Sequence, residues 1–395
     1  MTLTVGICRQ RRAKTKPGPG VRGWSPAQEM RTPESDCDVT QSGLAILRLL
    51  YRTLVTVVPQ SVYCASSSAN KTPRKRSPHL ESALTEYTIQ IPTMSVSTTK
   101  PTILVLGSTG QIGKLVIKHL EENNDIRLRL CSRREDAVED FRKEGKEAVK
   151  LDLDDPSTFA LALAGVDRAF LLTGYTVAML TQSKTFIDAA KKAGVKHIVH
   201  LGIFGEWDTT DPHFVWHQMI ETYIKASGIA WSNLHPNVFM DNLFGATAPK
   251  KNQLMLYWGT ARVGWVAVSD IAAMAAAVLH EGPEKHNERD YWMSIDVLDG
   301  AEVASILSET TGRSITFSPK TWEDFKALVS APDSGAEPWY AEGGTDFMRQ
   351  VANGQMGYIG TIRDDVPYVL GRPALTFKQW ATEHKEDFIK ILAKE

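Results

Sequence analysis

Seven consecutive residues, Gly107-Ser108-Thr109-Gly110-Gln111-Ile112-Gly113, have the spacing needed to fold backbone around a charged, oxygen-rich group. Gly107 permits a tight turn, Gly110 lets the main chain approach a pyrophosphate, and Gly113 lets a following helix pack close to a sheet. The amides at that helix N-terminus then face the anion. A glycine pattern alone is weak evidence, so its flanks matter. Apolar Ile103-Leu104-Val105-Leu106 precedes it as a strand, and Lys114-Leu115-Val116-Ile117-Lys118-His119-Leu120 follows with helical periodicity. Strand, glycine turn and helix together are the setting in which this pattern binds a dinucleotide.

About twenty residues further on, an acidic side chain would hold the ribose hydroxyls of NAD. Ser132-Arg133-Arg134 stands there instead. A guanidinium at Arg133 can pair bidentately with a 2′-phosphate, so NADPH (NADP) is the expected cofactor. An exposed arginine pair capping the strand is the competing reading. Asp152-Leu153 and Thr173-Gly174-Tyr175 are expected to complete the contacts, because both follow strands at the carboxyl edge where doubly wound sheets bind ligands.

The elements that must position these groups alternate from Pro101 onward. Strands are expected at 102–106, 126–132, 148–151, 168–173, 197–202 and 231–235, with helices at 112–123, 137–144, 157–163, 182–193 and 215–226. Short βα repeats with right-handed crossovers give an α/β fold, a doubly wound parallel Rossmann sheet. Beyond Asn237 the alternation breaks down. Trp265-Val266-Ala267-Val268 and the Ala-rich stretch 271–279 look like one more βα unit, followed by helices at 301–311 and from Trp322. The expected division is a Rossmann core at about 100–240 plus 262–282, and a smaller C-terminal substrate lobe from about 241–261 and 283–395.

Residues 1–99 mix Pro, Gly, Ser, Lys and Arg without sustained periodicity and are expected to be disordered. Three alternatives stay open for them: an organelle leader around Leu44–Val58, a basic address at Lys71–Arg76, or a true start at Met94. Residues 1–100 carry 14 Lys/Arg against 6 Asp/Glu, so the remainder is mildly acidic, with 31 against 40. That balance excludes a nucleic-acid or anionic-membrane surface. The longest apolar stretch, near 44–58, is too short to span a bilayer. Cys131 is the one thiol beyond residue 100, which suits a reducing compartment, and a cytoplasmic monomer or homodimer acting on a small-molecule substrate is expected.

From Thr102 to Phe388 the chain resembles the NmrA-like group of atypical short-chain dehydrogenase/reductases, which includes quinone reductases, fungal alkaloid reductases and a redox-sensing regulator. The resemblance rests on Gly107–Gly113, Asp152-Leu153-Asp154-Asp155-Pro156-Ser157, Gly165-Val166-Asp167, Ala193-Gly194-Val195-Lys196-His197-Ile198-Val199, Val268-Ser269-Asp270-Ile271-Ala272 and the late Gly371-Arg372-Pro373. It carries Pro236 and Phe239 over as cofactor contacts. The wider superfamily uses a Tyr and, four residues later, a Lys. Counting back from Glu221 and Ser227-Gly228, those positions are His213 and His217, and His200-Leu201-Gly202-Ile203 stands where a Ser or Thr is usual. The resemblance therefore implies a reductase without the standard triad, with His217 beside the nicotinamide ribose or passing a proton, and His213 as a second candidate. Phe204, Trp207, Trp216 and Met240 are expected around the substrate, which favours a flat, electron-poor acceptor. A non-catalytic nucleotide-sensing regulator and a non-redox enzyme are the other readings.

Overall fold

Apolar runs too short for helices build the sheet. In the computed structural model, which describes residues 100–393 apart from 175, 246 and 333, these runs become β1 (Thr102–Val105), β2 (Arg127–Ser132), β3 (Ala148–Lys150), β4 (Arg168–Leu171), β5 (His197–Leu201) and β6 (Ala230–Pro236). The expectations for residues 1–99 and for Tyr175 lie outside the described residues. All six strands are parallel, in the order 3-2-1-4-5-6. Central β1 is buried along its whole length, as a strand covered on both faces must be.

The helices return the chain over the two faces. α1 (Gln111–Leu120) buries Ile112, Val116, Ile117 and Leu120 on one side, and α2 (Glu135–Lys143), α3 (Met179–Ala193) and α4 (Pro212–Ser227) follow the later strands. The strand order reverses between β1 and β4, and a crevice opens there at the carboxyl edge.

The chain departs from the expected pattern after Asn237. The unit expected around Trp265 does form, but its strand leaves the main sheet. β7 (Val238–Phe239), β8 (Val263–Val266) and β10 (Asp296–Leu298) make a small separate sheet with β8 in the middle. Only its helix, α5 (Val268–Glu281), returns to the core, where its small Ala272, Ala275 and Ala276 lie against α1. The seventh parallel strand is instead β9 (Arg289–Ser294), paired with β6, and β11 (Arg363–Asp364) adds an antiparallel edge. Both strands lie in segments expected to belong to the lobe. Their exposed Arg289 and Asp290 and their short lengths conceal the strand pattern.

Asn237 accounts for the branching. Its side-chain amide donates to Ser294 Oγ (3.0 Å) and to the Ile359 carbonyl (2.9 Å), which ties the ends of β6 and β9 to the lobe. Gly264 of β8 crosses at this point, where any Cβ would stand 1.9 Å from Ser294 Oγ. The late Gly371-Arg372-Pro373 segment is also structural. Arg372 ion-pairs with the fully buried Asp270 of α5 at 2.8 Å, and the same carboxylate accepts from the Leu375 amide at 2.7 Å. The lobe core that follows centres on Trp265, Phe377, Trp380 and Phe388.

Candidate functional site

The glycine turn is closed by main-chain contacts and anchored by one side chain. Gly107 sits at φ +67°, and its carbonyl accepts from the Gly110 amide at 2.8 Å. A Cβ on Gly113 would lie 2.1 Å from that same carbonyl oxygen, so no other residue fits. Ser108 is turned inward: its hydroxyl donates to the Val105 carbonyl (2.7 Å) and accepts from the Cys131 amide (3.0 Å). It fastens the turn to β2 and leaves only backbone for a ligand. Ile112 is likewise buried in the core, whereas Thr109, Gly110 and Gln111 are exposed. α1 begins at Gly110 with no side-chain cap and no acidic residue in its first turn. Its amide end is open to an anion.

A cleft of about 450 Å³ runs from this turn across the carboxyl ends of β1 to β4. Gly107, Thr109, Arg133, Asp152, Leu153, Thr173 and Gly174 all line it, so the structure gathers residues that the sequence separates by nearly seventy positions. Ser132, Asp154, Thr176 and Gln182 line it too and were missed. Asp154 and Gln182 are held by a 2.7 Å side-chain hydrogen bond between residues 28 apart, a pairing with no signal in local spacing. A second groove, near Arg372 and Glu383, lies away from these residues and belongs to the Arg372–Asp270 junction.

The lining fits NADPH. Arg133 is exposed at the cleft and makes no ion pair among the described residues, while its neighbour Arg134 sits 3.7 Å from Asp136. A free guanidinium beside an uncapped helix N-terminus matches the two phosphate groups of this cofactor. Gln111 reaches across to Asp241 at 3.3 Å, and Asp241 in turn accepts from the Val268 amide at the start of α5.

Pro236, Phe239 and His217 are not among the residues lining this cleft; Pro236 ends β6 and Phe239 lies in β7. His217 is buried on α4, where its Nδ1 stands 3.3 Å from His200 Nε2. His200 Nδ1 lies 3.4 Å from the Leu171 carbonyl at the end of β4. On the other side the His213 ring packs 5.0 Å from His217 and 5.0 Å from Tyr340 of the helix Pro338–Ala352. Burial pushes His200 down to about 3 and His213 to about 4. His217 is pushed well below its ordinary value by burial and by the neighbouring imidazoles of His200, His213 and His235. Burial and the neighbouring imidazoles thus disfavour the protonated form of His217.

His235 behaves oppositely. Burial works against its charge, but Glu221 and Asp290 outweigh that and raise its pKa. Its Nδ1 meets the Ile203 carbonyl at 2.8 Å and its Nε2 meets Asp290 at 3.1 Å. Glu221, His235 and Asp290 are close enough to surround a cation, but both ring nitrogens are already committed. Glu221 occupies the space beside Gly202, where an added Cβ would lie 2.4 Å from its carboxylate.

The aromatics expected around a substrate divide differently. Phe204 is 1% exposed, packed edge-on against Trp292 at 5.1 Å and beside Tyr358. Met240 is fully enclosed in the lobe core. Both are packing residues, drawn inward because β5 and β7 feed directly into the junction with the lobe. Trp216 of α4 is partly buried against the sheet core, its ring 6.3 Å from that of His213, and Trp207 is 87% exposed.

Comparison with known proteins agrees with this architecture. The model of the NmrA-like family matches residues 99–341. The NAD(P)H azoreductase of Xenophilus azovorans is 31% identical over 293 residues, covering 72% of this chain and 99% of its own. Among solved structures, the Citrobacter triphenylmethane reductase complexed with NADP(H) superimposes with a TM-score of 0.61 at 23% identity, covering 72% of this chain and 99% of its own. The negative transcriptional regulator NmrA superimposes with a TM-score of 0.59 at 15% identity, covering 75% and 98%. At those identities the two structures speak to the fold alone.

Proposed function

The chain belongs to the NmrA-like family, and from that premise we propose that it is an NADPH-dependent reductase acting on an electron-poor, conjugated or aromatic small molecule such as a quinone, an enone or an iminium ion. The observation that carries this reading is the cleft itself, where a turn with no room for a Cβ at Gly113 and the unpaired Arg133 face one volume. When bound, NADPH supplies the hydride. The amides from Thr109 to Gln111 and the Arg133 guanidinium would hold its phosphates, Asp152 and Leu153 would contact the adenosine, and Thr173 and Gly174 would line the way toward the nicotinamide.

Electron-poor acceptors need little proton donation during hydride transfer, which suits a site where burial disfavours the charged forms of His200, His213 and His217. The protein's contribution is then to position two reactants and exclude water. The azoreductase relative adds azo compounds to the acceptors worth testing. One observation favours a second reading, a nucleotide-sensing regulator: burial disfavours the protonated forms of both His213 and His217.

The test is to follow NADPH absorbance with the purified full chain and a panel of quinones, enones, iminium ions and azo dyes. Consumption with at least one acceptor class is expected. No consumption with any acceptor, together with tight binding of both NADP and NAD, would replace the enzyme by the regulator.

A further inference from the structure

We propose that His200 is a positioning residue, fixing His217 as the Nδ1–H tautomer so that its Nε2 stands as a hydrogen-bond acceptor for a ligand hydroxyl such as a cofactor ribose. The inference rests on reading the crevice as a cofactor site. A backbone carbonyl can only accept. The Leu171 carbonyl, 3.4 Å from His200 Nδ1, therefore requires the proton on that nitrogen. A neutral imidazole has one N–H, so His200 Nε2 carries a lone pair. At 3.3 Å from that lone pair, His217 Nδ1 must in turn supply the hydrogen. His217 Nε2, which has no hydrogen-bond partner among the described residues, is left as an acceptor.

The surroundings keep both rings neutral. Both rings are buried, His200 fully and His217 nearly so, and the charges acting on them are those of other imidazoles: His235 on His200, and His200, His213 and His235 on His217. No carboxylate is among the charges that act on either ring, and Glu221 and Asp290 are engaged with His235. The orientation is thus set by one main-chain carbonyl at the end of β4 and transmitted through two rings into α4. A Lys in the same place would only donate, whereas this His217 only accepts. It would select a ligand by its hydroxyl groups rather than by negative charge.

The first test needs no cofactor. In the full chain labelled with 15N-histidine, two-bond 1H–15N correlations at pH 7 should show both His200 and His217 with Nδ1 protonated and Nε2 bare. Either ring in the Nε2–H or cationic form would overturn the proposal. The second test compares His200→Phe, which keeps the ring volume and removes the acceptor, with His200→Gln, whose amide oxygen can replace it. His200→Phe should move His217 to the Nε2–H tautomer and weaken NADPH binding roughly 3- to 10-fold, and His200→Gln should recover most of the loss. Unchanged affinity in His200→Phe would contradict the assigned role. If the wild-type chain binds no NADPH, the cofactor reading fails, while the tautomers still decide the histidine arrangement.

Discussion

At the β1–β2–β3 end of the crevice, the groups that face a ligand are backbone amides, a glycine with no space for a side chain and one unpaired arginine. At the β5–β6 end the polar groups are buried histidines, drawn from β5, α4 and β6 and packed among aromatic rings. The first end is an open cleft that meets charge with charge. The second is a nearly dry interior where protonation is suppressed at His200, His213 and His217, and where the one favoured imidazolium, His235, is neutralised by carboxylates. The difference suggests a division of labour: affinity comes from the phosphate end, and orientation from the histidine end.

The largest effect should come from the packed end. Phe204→Ala should lower stability by about 3–5 kcal/mol, measured by chemical unfolding. If Phe204 instead lined an open pocket, the loss would be small and confined to substrate KM. Gly113→Val comes next. Its side chain would collide with the Gly107 carbonyl, so about 3 kcal/mol of stability should be lost together with dinucleotide binding. A variant that melts like the wild type would show that the turn is looser than described.

Arg133→Ala should reduce NADPH affinity by about 1.5–3 kcal/mol, the scale of a charged hydrogen bond, and leave NADH affinity unchanged. Equal losses for both cofactors would remove the 2′-phosphate assignment. The buried histidines make a prediction in pH. The unfolded chain protonates them near 6.5, while the folded chain keeps His197 and His200 neutral to about 3 and His213 to about 4. Below about pH 6.5 the unfolded state therefore binds more protons, and stability falls as pH drops. Asp211 opposes this, since burial raises it to about 7 and the folded state keeps its proton longer than the unfolded one. His235 and the raised carboxyls of Glu221, Asp241 and Asp364 act in the same sense as Asp211, so the overall slope is the balance of these groups against the buried imidazoles. His213→Phe should flatten the decline between about pH 6.5 and 4 by about 1.4 kcal/mol per pH unit, read from unfolding curves; an unchanged slope would mean that His213 titrates normally. Smallest of all, Trp207→Ala should change stability by no more than about 0.5 kcal/mol.

The same contrast explains what could be read from the residues alone. β1 to β6 and the glycine turn were legible because periodicity and glycine spacing act within a few positions. Arg133, Asp152 and Thr173 were legible because each follows a strand at the carboxyl edge. Of the histidine end, the resemblance singled out His213 and His217, but not their meeting with His200 and His235, because these residues come together only through the tertiary fold. Phe204 and Met240 misled for a related reason: a large apolar side chain near a site and one in a core have the same local pattern. β9 was hidden by the polar residues that open it.

The account stands most directly on calorimetric titration of the full chain with NADPH and with NADH under identical salt. It predicts saturable NADPH binding at least about tenfold tighter than NADH, the difference one charged contact at Arg133 supplies. Equal affinity for the two cofactors, or no binding of either, would contradict it.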